Sequence, residues 1–244
     1  MGISSLESGA FGGVSGDRAE PERETAQLPR NPQLIALPLL QSPRRATRYE
    51  RIVKPAIDRL LGMILLVIVA PVMAIVSVLV LLSLGRPILF RQTRVGRDEE
   101  LFPLHKFRTM RPDRRQQTAE YTGADRRRTH KHPDDPRLTR LGRTLRKWSL
   151  DELPQLWDVV AGRLSLVGPR PELLSIVDGY EPWQHGRHVV KPGITGLWQI
   201  TARGNGEMHE HTDLDIEYAQ RVELRRDLKI MILTIPAVLA KKGY

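Results

Sequence analysis

The sequence predicts an α+β chain, mostly helical and membrane-associated, with a long apolar helix, a β-hairpin and interfacial amphipathic helices around a small cytoplasmic domain. Three observations carry that expectation. Leu60 to Leu84 are 25 consecutive residues without a charge, enough at about 1.5 Å per residue to reach across a hydrocarbon core of about 30 Å. Two strand-like runs follow, Pro87–Val95 and Leu101–Thr109, separated by a turn containing Gly96 and charged residues, which is the pattern of a hairpin. Helical spacing then recurs at Leu138–Arg146, Asp151–Val160 and Leu214–Arg226.

Residues 1–48 are rich in Gly, Pro, Ser, Glu and Arg, and their one apolar patch, Leu34–Leu40, contains Pro38. That composition predicts a disordered tail. No basic stretch followed by an apolar one opens the chain, so no cleavable signal peptide is expected and the start is placed in the cytoplasm. Residues 49–85 hold the apolar run. As a straight helix it would span the bilayer once. Pro71, near its middle, removes a backbone donor and kinks a helix, leaving two arms of roughly 16–20 Å that cannot each cross. Basic residues flank both ends, Lys54 and Arg59 before the run and Arg86, Arg91, Arg94 and Arg97 after it, so both ends prefer the cytoplasm. A helix that enters, breaks at Ala70-Pro71 and returns satisfies both observations; on the residues alone, spanning and re-entry both stay open.

Residues 86–244 form the cytoplasmic domain. Its stretch 111–136 is polar, with Arg126-Arg-Arg128 and Asp134-Asp-Pro136, and reads as an irregular loop. Residues 163–210 are punctuated by Gly and Pro. Leu228–Leu239 is apolar with Pro236 inside; at about 12 residues it is too short to span and suits the interface.

The formal charge is +10, from 38 basic and 28 acidic residues, and residues 86–148 alone hold 18 basic and 8 acidic ones. The whole excess therefore sits there, attracting anionic headgroups, nucleotide diphosphates or nucleic acid alike. The absence of cysteine excludes disulfides and thiolate metal sites. His130-x-His132 and His209-x-His211 lie in polar, loop-like sequence and do not predict zinc. Trp148, Trp157, Trp183 and Trp198 are expected as core or interfacial anchors.

Chemistry concentrates between Arg143 and Pro171. Ser149-Leu-Asp-Glu152 fits a capping box, whereas Pro154 favours a helix start nearer Asp151. In either register Asp151 and Glu152 occupy the first turn, where the helix dipole stabilises ionised carboxylates. Such a pair either caps a helix or does chemistry: it can share Mg²⁺ with substrate phosphates, and a carboxylate can attack phosphorus to give an acyl phosphate. Gly168-Pro-Arg-Pro171 holds a guanidinium between two residues of fixed φ, and arginine's fork matches phosphate. Arg137, Arg140, Arg143 and Arg146, spaced by three, line one helix side, either solvated or facing phosphates.

Lys54-Pro-Ala-Ile-Asp58-Arg59, the apolar run with Pro71, Gly85–Gly96, Lys106-Phe-Arg108-Thr-Met110, Asp135–Gly142, Ser149–Leu156, Ser165–Pro171 and Pro192-Gly-Ile-Thr-Gly-Leu-Trp-Gln199 stand in one order over about residues 52–244. Together they resemble the bacterial sugar transferases, the monotopic phosphoglycosyl transferases. The resemblance implies a re-entrant membrane helix bent at Ala70-Pro71, with Lys54, Asp58 and Arg59 at the membrane interface. It implies transfer of a sugar 1-phosphate from a UDP-sugar to polyprenyl phosphate such as undecaprenyl phosphate at the cytoplasmic face of the bacterial inner membrane. Asp151 would be the nucleophile, Glu152 would share Mg²⁺, and Arg170 would hold a phosphate, with Lys106, Arg108 and Arg146 as further candidates. Ala70 stands where many relatives carry Ser, so no side-chain hydrogen bond is expected at the bend. Arg203, another substrate-binding candidate, lies in Thr201–Asn205, which departs slightly from the family's Gly-Arg pattern.

Two rivals come from other classes. A membrane-tethered nucleic-acid binder would use the basic field, but few aromatics lie among the basic residues and no nucleic-acid motif occurs, so nucleic acid is not an expected partner. A membrane-bound, Mg-dependent nucleotide-sugar or lipid-phosphate hydrolase would use the same carboxylates with water as acceptor. The residues are compatible with a homodimer without requiring one.

Overall fold

The structure, a computed structural model, describes residues 45–111, 137–201 and 211–239, all within the unit Asn31–Tyr244. The predicted tail before residue 45, the loop after Arg111, His130, His132, His209 and Arg203 lie outside the described residues.

A π-helical turn, Tyr49–Val53, leads into α1, Lys54–Leu84. α1 is apolar and long enough to cross a membrane, and its helical backbone continues through Pro71. The sequence predicts a break there. Proline withholds only the amide that would bond the Val67 carbonyl, which can bend a helix without ending it. Ala70 and Pro71 are both exposed. The positions of α1 turned to the domain fall three or four apart, at Lys54, Asp58, Gly62, Leu66, Val69, Met73, Val76 and Val80, one stripe along its whole length. The remaining face, including Leu60, Val67, Ile68, Ile75 and Leu82, is exposed and apolar.

The two halves of that stripe meet different parts of one domain. Leu61, Leu66 and Val69 pack on the main core, which contains Val159, Leu164, Leu166, Ile216, Tyr218 and Ile230. Met73, Val76, Val80 and Leu84 pack instead with Phe107, Leu145, Leu150 and Leu153.

The hairpin forms as expected. β1, Leu89–Val95, pairs antiparallel with β2, Leu101–Phe107, with Leu89 opposite Phe107 and Val95 opposite Leu101. Asp98 and Glu99 turn the chain with left-handed φ of 51° and 62°, a conformation that Asp tolerates better than most residues. α2, Arg140–Lys147, is capped by Thr139, whose hydroxyl accepts the Gly142 amide at 2.9 Å.

The capping box expected at Ser149 and Glu152 does not form. Ser149 takes a left-handed φ of 55° with no side-chain cap bond, Leu150–Glu152 make one 3₁₀ turn, and α3 runs only from Gln155 to Val160. A capping serine needs extended backbone to aim its hydroxyl at the helix amides, and the left-handed turn after α2 excludes that. β3, Ser165–Val167, and β4, Gly193–Thr195, then form a parallel pair. α4, Leu174–Val177, and a 3₁₀ helix, Pro182–Val189, lie between them. α5, Leu197–Thr201, α6, Thr212–Gln220, and α7, Leu224–Leu239, complete the described chain. The break between the last two helices falls at 221–223, earlier than the sequence pattern places it. α7 buries Asp227 and Ile230 and exposes Leu228, Ile232 and Ile235.

Candidate active site

Asp151 and Glu152 sit on the 3₁₀ turn, between Leu150 and Leu153, which are anchored in the apolar cluster with Phe107 and Leu145. The turn is thus fixed by apolar packing on either side, while α3, beginning three residues later, contributes little dipole. Glu152 is gripped. Arg170 forms a two-pronged pair with it, Nη2 on Oε1 and Nη1 3.4 Å from Oε2, and Lys106 Nζ lies 3.6 Å from Oε1. β2 delivers Lys106, and the turn after β3 delivers Arg170.

Asp151 is different. It is buried, and among the described residues its carboxylate makes no close ion pair; it is surrounded by the charges of Glu152, Lys106, Arg146 and Arg170. Burial pushes its pKa up to about 6, Glu152 adds to the rise, and the three cations oppose it. Burial pushes Lys106 down to about 8 against the pull of Glu152, whereas Glu152 holds Arg170 above its ordinary value despite burial. At neutral pH the site therefore presents an ionised, weakly solvated carboxylate beside cationic groups, a state suited to attack on phosphorus. Among the described residues no three His, Asp or Glu side chains converge as a metal cage. Two adjacent carboxylates with Asp151 uncommitted do fit Mg²⁺, which takes one or two protein carboxylates and fills its remaining positions with water and phosphate oxygens.

The structure separates the other predicted residues. Arg146 reaches the site edge and donates from Nε to Thr109 Oγ1 at 3.1 Å; Arg140 and Arg143 of the same row are exposed. Arg108 lies at the end of α1, donating to the carbonyls of Leu84, Gly85 and Arg86, so it caps that helix. Lys54 and Asp58 turn inward instead of facing headgroups, because each finds buried partners. Lys54 Nζ pairs with Asp227 Oδ2 at 2.7 Å, and Asp58 accepts from Ser165 Oγ at 2.7 Å and the Leu166 amide at 3.2 Å. Arg59 is exposed, beside Gly162.

Sequence reasoning missed several buried charges that frame the site. Asp158 of α3, wholly buried, accepts the His105 amide at 3.0 Å, faces His105 Nδ1 at 2.8 Å and pairs with Arg163 Nη2 at 2.9 Å. Arg94 pairs with Glu172 at 3.5 Å, and Arg187 with Asp215. Only the invariably high cost of burying such charges singly could have signalled partners, and sequence does not reveal burial. Behind the site Gly168 and Gly193 bring two backbones together: a Cβ on Gly193 would fall 2.1 Å from the Gly168 nitrogen, and one on Gly168 2.4 Å from the Lys191 carbonyl. Only glycine allows that approach.

The sequence profile described as bacterial sugar transferase matches residues 49–241. Galactosyl transferase CpsE of Streptococcus agalactiae is 36% identical over 203 residues, 80% of this chain and 44% of that protein. The UDP-glucose:undecaprenyl-phosphate glucose-1-phosphate transferase of Escherichia coli is 36% identical over 207 residues, 82% of this chain and 42% of its own length. Sugar transferase EpsL of Bacillus subtilis, itself uncharacterized, is 38% identical over 192 residues, 79% of this chain and 90% of EpsL. The chain thus spans less than half the length of the first two relatives and nine-tenths of the third. With the matched span running from the π-helical turn to the end of α7 and enclosing Asp151, Glu152 and Arg170, the chain belongs to the bacterial sugar transferase family.

Proposed function

We propose that this chain transfers a sugar 1-phosphate from a UDP-sugar to a polyprenyl phosphate such as undecaprenyl phosphate, releasing UMP at the cytoplasmic face of the bacterial inner membrane. The product, a polyprenyl diphosphate sugar, would open the assembly of an exopolysaccharide, capsule, O-antigen or other glycan. The observation that carries the reading is the buried, uncommitted Asp151 beside a Glu152 gripped by Arg170 and Lys106. The name of the E. coli relative joins UDP-glucose, undecaprenyl phosphate and glucose 1-phosphate in the same reaction type.

In the first step an Asp151 oxygen forms a bond to the sugar-linked phosphorus while the bond from that phosphorus to UMP breaks, UMP leaving with the electron pair. An oxygen of the lipid phosphate then attacks the same phosphorus and frees Asp151 as a carboxylate, so two displacements divide one transfer. Arg170 and Lys106, already cationic and fixed, offset charge gathering on the phosphoryl oxygens without reorganising. Mg²⁺ held by Asp151 and Glu152 would neutralise further phosphate charge.

The membrane placement supports the same reading. Both halves of α1 dock on one domain, which favours a bent, re-entrant helix with both ends on one side, and its exposed face and that of α7 are apolar. A lipid phosphate confined to that interface meets the dyad in two dimensions, which raises its effective concentration.

The test is UMP release in nanodiscs with Mg²⁺, undecaprenyl phosphate and a panel of UDP-sugars. Wild type should release lipid-dependent UMP from one sugar, and Asp151→Asn should fall by roughly 10³-fold or more, the scale expected when a covalent nucleophile is lost. Equal UMP release without lipid would replace the transferase by a hydrolase.

A further inference from the structure

Arg187 is 1% exposed, the largest side chain so deeply buried among the described residues, and the transfer chemistry does not touch it. Its guanidinium has three partners on three separate segments of the chain. Nη2 lies 2.5 Å from Asp215 Oδ2 of α6, an ion pair without hydrogen-bond alignment. Nη1 donates to the Tyr180 hydroxyl at 2.5 Å, and Nη2 donates to the main-chain carbonyl of Arg170 at 2.6 Å. A second buried guanidinium takes the next carbonyl along: Arg94 Nη1 donates to Pro171 at 3.3 Å and pairs with Glu172 at 3.5 Å.

The last two carbonyls of Gly168-Pro-Arg-Pro171 are therefore each held by a buried arginine. The prolines do not make this redundant. A proline ring fixes φ of its own residue, and Pro171 also holds ψ of Arg170 in the broad extended range; within that range the direction of the Arg170 carbonyl, and with it the path of the side chain toward Glu152, still varies. The hydrogen bond from Arg187 narrows that range. Burying a guanidinium in this way is costly unless an anion accompanies it, which gives Asp215 its place.

We propose that Arg187, anchored by Asp215 and Tyr180, is a positioning residue that aims the Arg170 guanidinium at Glu152 and at the donor phosphate. The phosphate half of this rests on the transferase reading; the Glu152 half rests on geometry alone.

Arg187→Lys keeps a charge for Asp215 but lacks the fork that reaches Tyr180 and the Arg170 carbonyl together. Its kcat for UMP release should fall roughly 10- to 100-fold, the scale of a small misplacement of a catalytic group, with KM for the UDP-sugar changing less. In an Arg170→Lys background the same substitution should cost nothing more, because it acts only through Arg170; additive losses would overturn the proposal. Tyr180→Phe removes one anchor without disturbing the ion pair, and its smaller loss should vanish in the same background, so a misfolded Arg187→Lys does not end the test. A readout independent of turnover is the Arg170 Nε–Hε resonance, assigned by its disappearance in Arg170→Lys. It should shift or broaden in Arg187→Lys and Tyr180→Phe, and an unchanged resonance would refute the positioning role. A moving resonance in a protein that releases no lipid-dependent UMP would sink the transferase reading and leave the positioning role standing.

Discussion

His188 shows what burial does to a single ring. It is 6% exposed, its Nδ1–H donates to the Gly96 carbonyl at 3.2 Å, and its Nε2 has no partner among the described residues. Burial first, and the Arg187 charge second, push its pKa down to about 4. The unfolded ring titrates near 6.5. Above that pH both states are neutral; between about 6.5 and 4 the unfolded chain takes a proton that the folded one refuses, so stability falls with pH by up to about 1.4 kcal/mol per unit. Asp215, raised to about 6 by burial, works oppositely from pH 6 down to the unfolded value near 4, since there the folded state takes the proton first. His188→Gln should therefore lose less melting temperature than wild type between pH 7 and pH 5, and equal losses would contradict the assignment. Single residues were unequally legible. Asp151, Glu152 and Arg170 stand in motifs whose chemistry is local, whereas Arg187, Asp215, Asp158 and Asp227 read as ordinary surface charges until folding supplies partners from distant segments.

Elements were legible where their pattern is longer than their irregularities. Seven-residue strands with a Gly-containing turn between them announce β1 and β2, but three-residue β3 and β4 are too short for alternation to register. The displaced start of α3 follows from the sign of one φ at Ser149, which residue type does not dictate. The joining of α1 to α6 and α7 was hidden for a similar reason. Asp227 of α7 accepts from Tyr49 at 2.6 Å, Tyr218 at 2.7 Å and Lys54 at 2.7 Å, so one carboxylate ties the start of α1 to two other helices. Asp227→Ala would leave the buried Lys54 ammonium with only Asp58, 3.8 Å away, and take the acceptor from Tyr49, while Tyr218 keeps the Val167 carbonyl at 3.1 Å. The cost should be about 3–5 kcal/mol, and thermal unfolding should show it. A melting temperature within a degree or two of wild type would mean that apolar packing alone holds these helices.

For the molecule as a whole, the decisive question is on which side of the bilayer each end of α1 lies. The chain has no cysteine, so Arg48→Cys and Arg86→Cys, at exposed positions flanking the helix, each report one site. An impermeant maleimide should label both in inverted vesicles and neither in cells with intact membranes. Labels on opposite faces would make α1 a spanning helix. The sequence carried this question in its flanking charges and Pro71, and left it open because a kinked helix serves either topology. The touching backbones of Gly168 and Gly193 bear on how such a protein can vary over time. Every other residue carries the atom that would collide there, so a saturation screen should find both glycines as intolerant as Asp151, but for an unrelated cause. Changes at Asp151 should leave normal amounts of inert protein, while changes at the glycines should deplete the protein itself, and only a screen that scores abundance apart from turnover would keep scaffold and chemistry from being mistaken for each other.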